Sequence, residues 1–415
     1  MSDLKLIGPF KQLLPMTGLP LKGALSDDQL IVLKDAGILI ADDKIHAIDN
    51  FDELKKAFHE AEIYELKGNH TGLPGFVDSH THICFGGSRA NDYAMRNAGM
   101  TYLEIAKAGG GIWDTVTQTR KASQEDLVKN TAKIAKRHLK NGTTTIEVKS
   151  GYGLSVDEEL KILRAIRRAN METYADLVPT CLAAHMLPKD FAGSAEDYLN
   201  EMATTLFPIL KQEGLTTRID AFIEESAFSA KQIAPYFQKG KNMGFDLTVH
   251  ADQFTTGGSQ VAVDFEALSA DHLEASAERE IELLAKSGTI ATALPGASIG
   301  LGCSFTPARK ILDAGGSVSI ASDHNPGSAP MGDLLTQAAI LGAFEKLSNA
   351  EVLAGITFRA AAALKLQDRG QLTKGFLADL AIFHTDDYKE ILYNQGNLKP
   401  CSVWKNGTKV FDKHS

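Results

Sequence analysis

Eight short runs of apolar and β-branched residues recur between residues 73 and 323. Runs this short, bounded by glycine or polar residues, are typical of buried strands. Polar residues lie at the end of most runs. The segments between the runs have a different spacing of apolar residues. The runs cover residues 73–80, 143–150, 177–185, 218–225, 245–252, 267–274, 289–296 and 317–323.

The segments between the runs have the pattern of helices. Ser123-Gln-Glu-Asp126 and Ser155-Val-Asp-Glu158 resemble capping boxes, which mark the start of a helix. Alternating strands and helices form parallel sheets, and eight such units over roughly 300 residues favour a (β/α)8 barrel over an open doubly wound sheet. No Gly-x-Gly-x-x-Gly sequence follows a strand, as a dinucleotide-binding fold would need.

Both ends of the chain have β-type patterns instead. Residues 37–48 predict a hairpin around Asp42-Asp43, and Asn406-Gly407 forms a strong hairpin turn between two β-like runs in residues 402–411. Leu380-Ala-Ile-Phe383 adds another strand. We therefore predict an α/β protein with a (β/α)8 barrel and a small β-sandwich domain made from both termini. The predicted bounds are 71–374 for the barrel and 1–70 plus 375–415 for the β domain.

Composition narrows the classes of function. The net charge is -9, without a basic cluster along the sequence or lysines interleaved with aromatic residues, so no nucleic-acid partner is expected. The N-terminus lacks an apolar core of signal-peptide length, and no run of about 18 apolar residues predicts a membrane span. The four cysteines are far apart, which fits reduced thiols in the cytoplasm.

The chemistry begins in GFVDSHTHICFGGSR, residues 75–89, where His80 and His82 end the first run. Alternate side chains of a strand point the same way, so both imidazoles can face one point, although two polar residues that merely end a strand would look the same. The carboxyl ends of barrel strands converge on one mouth, and polar residues there predict an active site. The later runs end in Lys149, His185, Glu224, Glu225, His250, His272 and Asp323.

Three imidazoles and a carboxylate suit one divalent or trivalent metal ion, zinc or iron. A site that keeps one coordination position for water lowers the pKa of that water toward neutrality, which favours hydrolysis. Proton transfer needs a further group, for which Asp323 and His272 are the candidates, and either could instead orient its neighbours.

These motifs resemble the amidohydrolase superfamily over the whole chain. The resemblance is carried by Gly75-x-x-Asp78-x-His80-Thr-His82, by histidines after the fifth and sixth runs, and by Ser322-Asp323 after the eighth. More narrowly, four stretches resemble the branch of the superfamily that opens 4-imidazolone-5-propanoate to N-formimidoyl-L-glutamate in histidine degradation. They are residues 80–112, 149–154, 250–254 and 322–330.

The resemblance implies a small-molecule substrate, a homodimer and a set of site residues. The Arg89 guanidinium can hold a propionate carboxylate bidentately. Gln253 occupies a position where some relatives have glutamate, which removes a possible base. The implied metal ligands are His80, His82, His250 and Asp323. The implied substrate contacts are Arg89, Tyr152, His185, Gln253, Asn325, Gly327 and Ser328.

Other interpretations remain open. A deaminase of cytosine-type or guanine-type bases would share the ligand set, but a neutral base gives Arg89 no carboxylate to bind. A binding protein that had lost its metal would share the fold. Binuclear relatives use a carboxylated lysine that comes later in the chain than Lys149, so we predict one metal and a positioning or packing role for Lys149. His324 is expected to point away from the metal.

Overall fold

The computed structural model describes residues 4–413. Its strands are β1 (Leu4–Phe10), β2 (Gln12–Leu13), β3 (Ala36–Ala41), β4 (Lys44–Asn50), β5 (Glu62–Glu65), β6 (Thr71–Pro74), β7 (Phe76–Asp78), β8 (Thr143–Lys149), β9 (Asp176–Ala184), β10 (Arg218–Phe222), β11 (Asp246–Ala251), β12 (Ser269–His272), β13 (Ile290–Ala293), β14 (Val318–Ile320), β15 (Leu380–Phe383), β16 (Ser402–Lys405) and β17 (Thr408–Asp412).

The α-helices are α1 (Phe51–Ala57), α2 (Ala90–Asn97), α3 (Tyr102–Lys107), α4 (Ile112–Lys121), α5 (Gln124–Lys140), α6 (Val156–Asn170), α7 (Ala195–Glu201), α8 (Phe207–Glu213), α9 (Ala230–Asn242), α10 (Gly258–Asp264), α11 (Glu278–Lys286), α12 (Pro295–Leu301), α13 (Ala308–Asp313), α14 (Leu334–Glu345), α15 (Asn349–Gly355), α16 (Phe358–Ala363) and α17 (Lys389–Tyr393). The predicted helix starts are confirmed, because Ser123 and Ser155 are the N-caps of α5 and α6.

Strands β7 to β14 form one parallel sheet in which every strand pairs with its neighbours in sequence. The sheet closes at its carboxyl end, where Thr81 bridges to His324 and the His82 N–H donates to the His324 carbonyl at 2.9 Å. Seven of these strands lie within a predicted run and β9 begins one residue before its run, at Asp176, so the predicted (β/α)8 barrel is confirmed.

Helices cover the outside of the barrel and side chains fill its inside, so its strands are buried on both faces. All seven residues of β8 and all five of β10 are buried. A charged side chain inside such a strand must have a charged or hydrogen-bonding partner, because an unpaired buried charge is very costly. Glu147, Lys149, Asp220 and Asp271 occupy such positions.

Two smaller sheets are built from the ends of the chain. One has the order β4-β3-β1-β5, and the other, β17-β16-β15-β6-β2, joins strands from both termini. The two predicted hairpins are confirmed, and Asp42 and Asn406 in their turns have φ of 57° and 50°. Strand β6 contains the first two residues of the first predicted run and pairs with β15 in this second sheet. Buried Ile7, Ile38 and Trp404 belong to an apolar cluster of the small β domain.

The folded chain corrects the expectation that cations do not cluster. A groove of about 520 Å³ along α5 is lined by Lys129, Lys133, Lys136, Arg137 and Lys140 together with Glu172. Residues three and four apart lie on the same side of a helix, so lysines that look dispersed in the sequence become neighbours. Within residues 4–413, no helix is both long enough and apolar enough to cross a membrane.

Candidate metal centre and active site

The four predicted metal ligands lie together at the carboxyl end of the barrel. His80 and His82 follow β7, His250 is in β11 and Asp323 follows β14. The His82 Nε2 atom is 3.2 Å from His80 Nε2 and 3.3 Å from His250 Nε2. Asp323 Oδ1 is 3.6 Å from His80 Nε2 and 3.5 Å from His82 Nε2. All four side chains are buried.

The backbone around Asp323 is strained and held in place. Asp323 has φ of 49°, which is unusual for a residue other than glycine and recurs at functional sites. Its N–H donates to the His80 carbonyl at 3.0 Å, and its own carbonyl accepts from Asn325 Nδ2 at 2.7 Å. These bonds turn its carboxylate toward the imidazoles of His80 and His82.

Two buried carboxylates orient two of the imidazoles. His80 Nδ1 donates to Asp271 Oδ2 at 2.7 Å, and His250 Nδ1 lies 2.9 Å from Asp220 Oδ2. A carboxylate at Nδ1 fixes the proton there and leaves the Nε2 lone pair free to face the centre. The sequence analysis missed both aspartates, because they lie inside β12 and β10 rather than at strand ends. A charge within a buried strand was the available signal.

The protonation of the imidazoles suits a metal ion. Burial is the largest effect on His80, His82 and His250; it lowers the pKa of the first two well below the usual value and that of His250 to about 4. The Nε2 atoms of His80 and His250, unprotonated, both face His82 Nε2. A proton on His82 Nε2 could be donated to only one of these two nitrogens. The remaining contact would then bring two unprotonated acceptor nitrogens together. A cation among the three nitrogens satisfies all of them, so the donor set fits zinc or iron.

Lys149 is fully buried beside this centre. Its Nζ lies 2.8 Å from Glu147 Oε1, 2.8 Å from Asp220 Oδ2 and 3.7 Å from Asp271 Oδ2. Burial opposes its charge, but the three carboxylates outweigh burial and raise the pKa of Lys149. A carboxylated lysine would place another anion among them, so this geometry favours a charged ammonium and a single metal ion.

The two proton-transfer candidates differ in electrostatic surroundings. The His272 ring centroid is 5.4 Å from that of His250, and its Nδ1 is 3.4 Å from Glu274 Oε1. Burial alone would lower the pKa of His272, but the carboxylates of Glu274, Asp323 and Asp271 raise it. Burial raises the pKa of Asp323 to about 6. Glu274 was another residue that the sequence analysis missed.

Aromatic and imidazole rings form one side of the mouth. The Tyr152 centroid lies 5.9 Å from His82 and 5.6 Å from His185, and the His185 ring stacks on His82 at 5.6 Å. Burial lowers the pKa of His185 to about 4, and its Nδ1 donates to the Gly151 carbonyl at 2.9 Å. A flat ligand placed over the centre would contact these rings.

Arg89 also reaches the mouth. Its Nε donates to Asp92 Oδ2 at 2.7 Å, and the same oxygen accepts from the Gly111 N–H at 2.8 Å. The guanidinium lies against Gly327, where a Cβ would collide with it. Asn325 shapes this turn, because its Oδ1 accepts from the N–H groups of Gly327 at 2.7 Å and the next residue at 2.8 Å.

The turn also connects to Asp323. Asn325 Nδ2 donates to Asp323 Oδ2 at 2.8 Å, and the Ser328 hydroxyl lies 3.3 Å from the same oxygen. The structure therefore brings Arg89, Asn325, Gly327 and Ser328 together next to the predicted ligands. Gln253, another predicted contact residue, is half-buried in the loop after β11.

His324 faces away from the centre, as predicted. Its Nδ1 lies 2.8 Å from His138 Nε2 and its Nε2 lies 3.1 Å from Arg137 Nη2, both in α5. It therefore packs at the seam where the barrel closes.

The sequence and the fold of this chain are similar to those of known proteins. A model of the amidohydrolase family matches residues 71–410. The chain is 36% identical over 402 residues to the imidazolonepropionase of Alkaliphilus oremlandii. This alignment covers 95% of this chain and 94% of the relative. It is 38% identical over 406 residues to the imidazolonepropionase of Bacillus velezensis, covering 97% and 96%. A triazine hydrolase variant of known crystal structure has a similar fold, with a TM-score of 0.74, 16% identity, and coverage of 99% of this chain and 95% of that chain.

Proposed function

The chain belongs to the amidohydrolase family, and we propose on that basis that it is an imidazolonepropionase of histidine degradation. It hydrolyses the cyclic amide 4-imidazolone-5-propanoate to N-formimidoyl-L-glutamate. The observation that carries this conclusion is the convergence of His80, His82, His250 and Asp323 at the barrel mouth, in a chain similar to named imidazolonepropionases over at least 95% of its length.

The side chains around the centre would orient the substrate at two ends. Asp92 holds Arg89 through Nε, so the terminal nitrogens can meet the propionate as a two-point fork. The rings of Tyr152 and His185 then lie beside the flat imidazolone ring. With the tail fixed at Arg89, the ring carbonyl is directed toward the four ligands.

The same residues explain how protons can move. When bound, zinc or iron would act as a Lewis acid on the ring carbonyl and lower the pKa of the hydrolytic water. Asp323 uses Oδ1 toward the imidazoles, while Asn325 holds Oδ2. This carboxylate accepts a proton from water and passes it to the ring nitrogen as the C–N bond breaks. His272, whose pKa the Glu274 carboxylate raises, donates a hydrogen bond to the ring carbonyl oxygen and stabilises the negative charge that develops there.

We propose one metal ion per subunit, held by the three imidazoles and Asp323. Imidazole and carboxylate ligands serve zinc and iron alike, so both are candidates. We also expect a homodimer in the cytoplasm. All four cysteines are free thiols, which agrees with a reducing compartment.

The test is a direct assay of purified protein with imidazolone propionate, in which loss of the ring's ultraviolet absorbance is followed over time. Elemental analysis of the same sample gives the metal and its stoichiometry. We expect turnover of imidazolone propionate and none of cytosine or guanine, with about one zinc or iron per chain. Turnover of a nucleobase, or a metal-free protein that hydrolyses the ring at full rate, would refute the proposal.

A further inference from the structure

We propose that Lys149 is a positioning residue that sets the relative placement of all three imidazole ligands. The inference rests on the proposed metal-dependent function. It concerns how the fold holds the metal ligands in position relative to one another. Lys149 itself does not contact the ligand nitrogens. Three contacts of one ammonium group carry it.

The first two contacts lead to the orienting carboxylates. Lys149 Nζ is 2.8 Å from Asp220 Oδ2 and 3.7 Å from Asp271 Oδ2. These are the same oxygen atoms that meet His250 Nδ1 at 2.9 Å and His80 Nδ1 at 2.7 Å. One ammonium in β8 therefore connects the carboxylates that orient ligands on two other parts of the barrel.

The third contact leads to the backbone between His80 and His82. Glu147 Oε1 is 2.8 Å from Lys149 Nζ, and its other oxygen accepts from the Thr81 N–H at 3.2 Å. Thr81 separates His80 from His82, so the position of Glu147 bears on both imidazoles. Together the three carboxylates around Lys149 thus lead to all three imidazole ligands.

Apart from their contacts with Lys149 and the imidazoles, the two aspartates have few hydrogen bonds. Asp220 Oδ1 accepts from the adjacent Ala221 N–H at 2.7 Å, and Asp271 Oδ2 accepts from the Thr248 hydroxyl at 3.2 Å. Without the ammonium, the three carboxylates would repel one another in a space that excludes water. Asp220 and Asp271 would then move apart, and the imidazoles that they orient would move with them.

An alternative role for Lys149 predicts the opposite result. If Lys149 acted only through its charge, its removal would take a cation away from the centre and make the binding of a metal cation tighter. If it acts by positioning, its removal makes binding weaker, because the ligands lose their register. The sign of the change in metal affinity therefore separates the two roles.

The experiment uses two variants and one matched control. Lys149→Met removes the ammonium, and the double variant Glu147→Gln with Lys149→Met also removes one carboxylate, so the net charge of the cluster is unchanged. The control is Lys405→Met in β16. Lys405 is a buried lysine that joins the small β domain to the barrel, with Nζ 2.7 Å from Asp176 Oδ2 of β9 and 2.8 Å from Asp379 Oδ2.

Zinc affinity is measured by competition with a chromogenic chelator, and the visible spectrum of cobalt-loaded protein reports ligand geometry. We expect both Lys149 variants to bind zinc roughly 10- to 100-fold more weakly, the range for losing a group behind a metal ligand, and to show altered cobalt bands. Lys405→Met should lower the melting temperature of the metal-free protein and leave zinc affinity and the cobalt spectrum unchanged.

Equal or tighter zinc binding by the charge-balanced double variant would overturn the inference. Failure of that variant to fold, while Lys405→Met folds, would also overturn it, since Lys149 would then be a requirement of the barrel and not of the site. A wild-type protein that binds no zinc or iron would instead refute the proposed function itself.

Discussion

Asp78 accepts two hydrogen bonds from Ser322, one from the N–H at 2.9 Å and one from the hydroxyl at 2.5 Å. This pair joins the end of β7 to the segment after β14. It fixes the residue directly before Asp323, whose φ of 49° must be maintained for its carboxylate to face the imidazoles.

The first prediction follows from this contact. Asp78→Ala leaves two buried donors of Ser322 without their acceptor, at a cost of about 1 to 3 kcal/mol each. Asp323 is then free to leave its strained conformation, so metal affinity and kcat should both fall, roughly 10- to 100-fold. Ser322→Ala removes the hydroxyl bond to Asp78 and the bond that the hydroxyl accepts from the His324 N–H at 3.2 Å, but it keeps the N–H bond of residue 322 to Asp78. It should therefore have a smaller effect on zinc affinity in a chelator competition. Equal effects of the two variants would contradict this role of Asp78.

The second prediction concerns the ligand set. Separate substitutions to alanine of His80, His82, His250 and Asp323 should each remove metal or activity, while the far-ultraviolet circular dichroism spectrum stays that of the wild type. The barrel core exists without the metal, so loss of a ligand changes the site and not the fold. Dialysis against a chelator should have the same effect, reversed by zinc or iron. Wild-type metal content and turnover in all four variants would refute the assignment.

The third prediction separates His272 from the ligands. His272→Ala should keep the metal and lose roughly 10² to 10⁴ in kcat, as expected for a positioned proton-transfer group. The measurement is kcat together with metal content on the same sample. Loss of metal would instead make His272 a ligand.

The fourth prediction tests whether Arg89 recognises the substrate carboxylate. Loss of a charge-assisted two-point contact costs on the order of 2 to 4 kcal/mol, so Arg89→Ala should lower kcat/KM roughly 30- to 1000-fold with the metal retained. Arg89→Lys should recover only part of this loss, because an ammonium lacks the planar fork. An imidazolone analogue with a neutral amide in place of the carboxylate is the control. If Arg89→Ala slows both compounds to the same degree, Arg89 does not recognise the carboxylate.

The fifth prediction uses the close approach of Gly327 to Arg89. Gly327→Ala places a methyl group where the guanidinium lies, so Arg89 must shift away from its position beside Asp92. We expect KM for imidazolone propionate to rise several-fold while zinc affinity stays unchanged. Steady-state kinetics and chelator competition on the same preparation measure both. An unchanged KM would show that the position of Arg89 is not limiting.

The sequence determined the barrel and the candidate ligands. Strand period, helix caps and hairpin turns are local properties, so eight strands and both terminal hairpins could be predicted without contacts. The carboxyl ends of parallel strands always converge, so polar strand ends such as His250 could be assigned to one mouth before any distance was known. The family resemblance added residues such as Arg89.

Only the tertiary structure decided how that mouth is held together. Asp271 meets His80 across a separation of 191 residues, and Asp78 meets Ser322 across 244. Nothing in the strand pattern specifies which buried charges pair, so the bridging contacts of Lys149 could not be predicted. Local preferences fix the elements, whereas the pairing of buried charges depends on closure of the barrel, which brings distant strands within hydrogen-bonding distance.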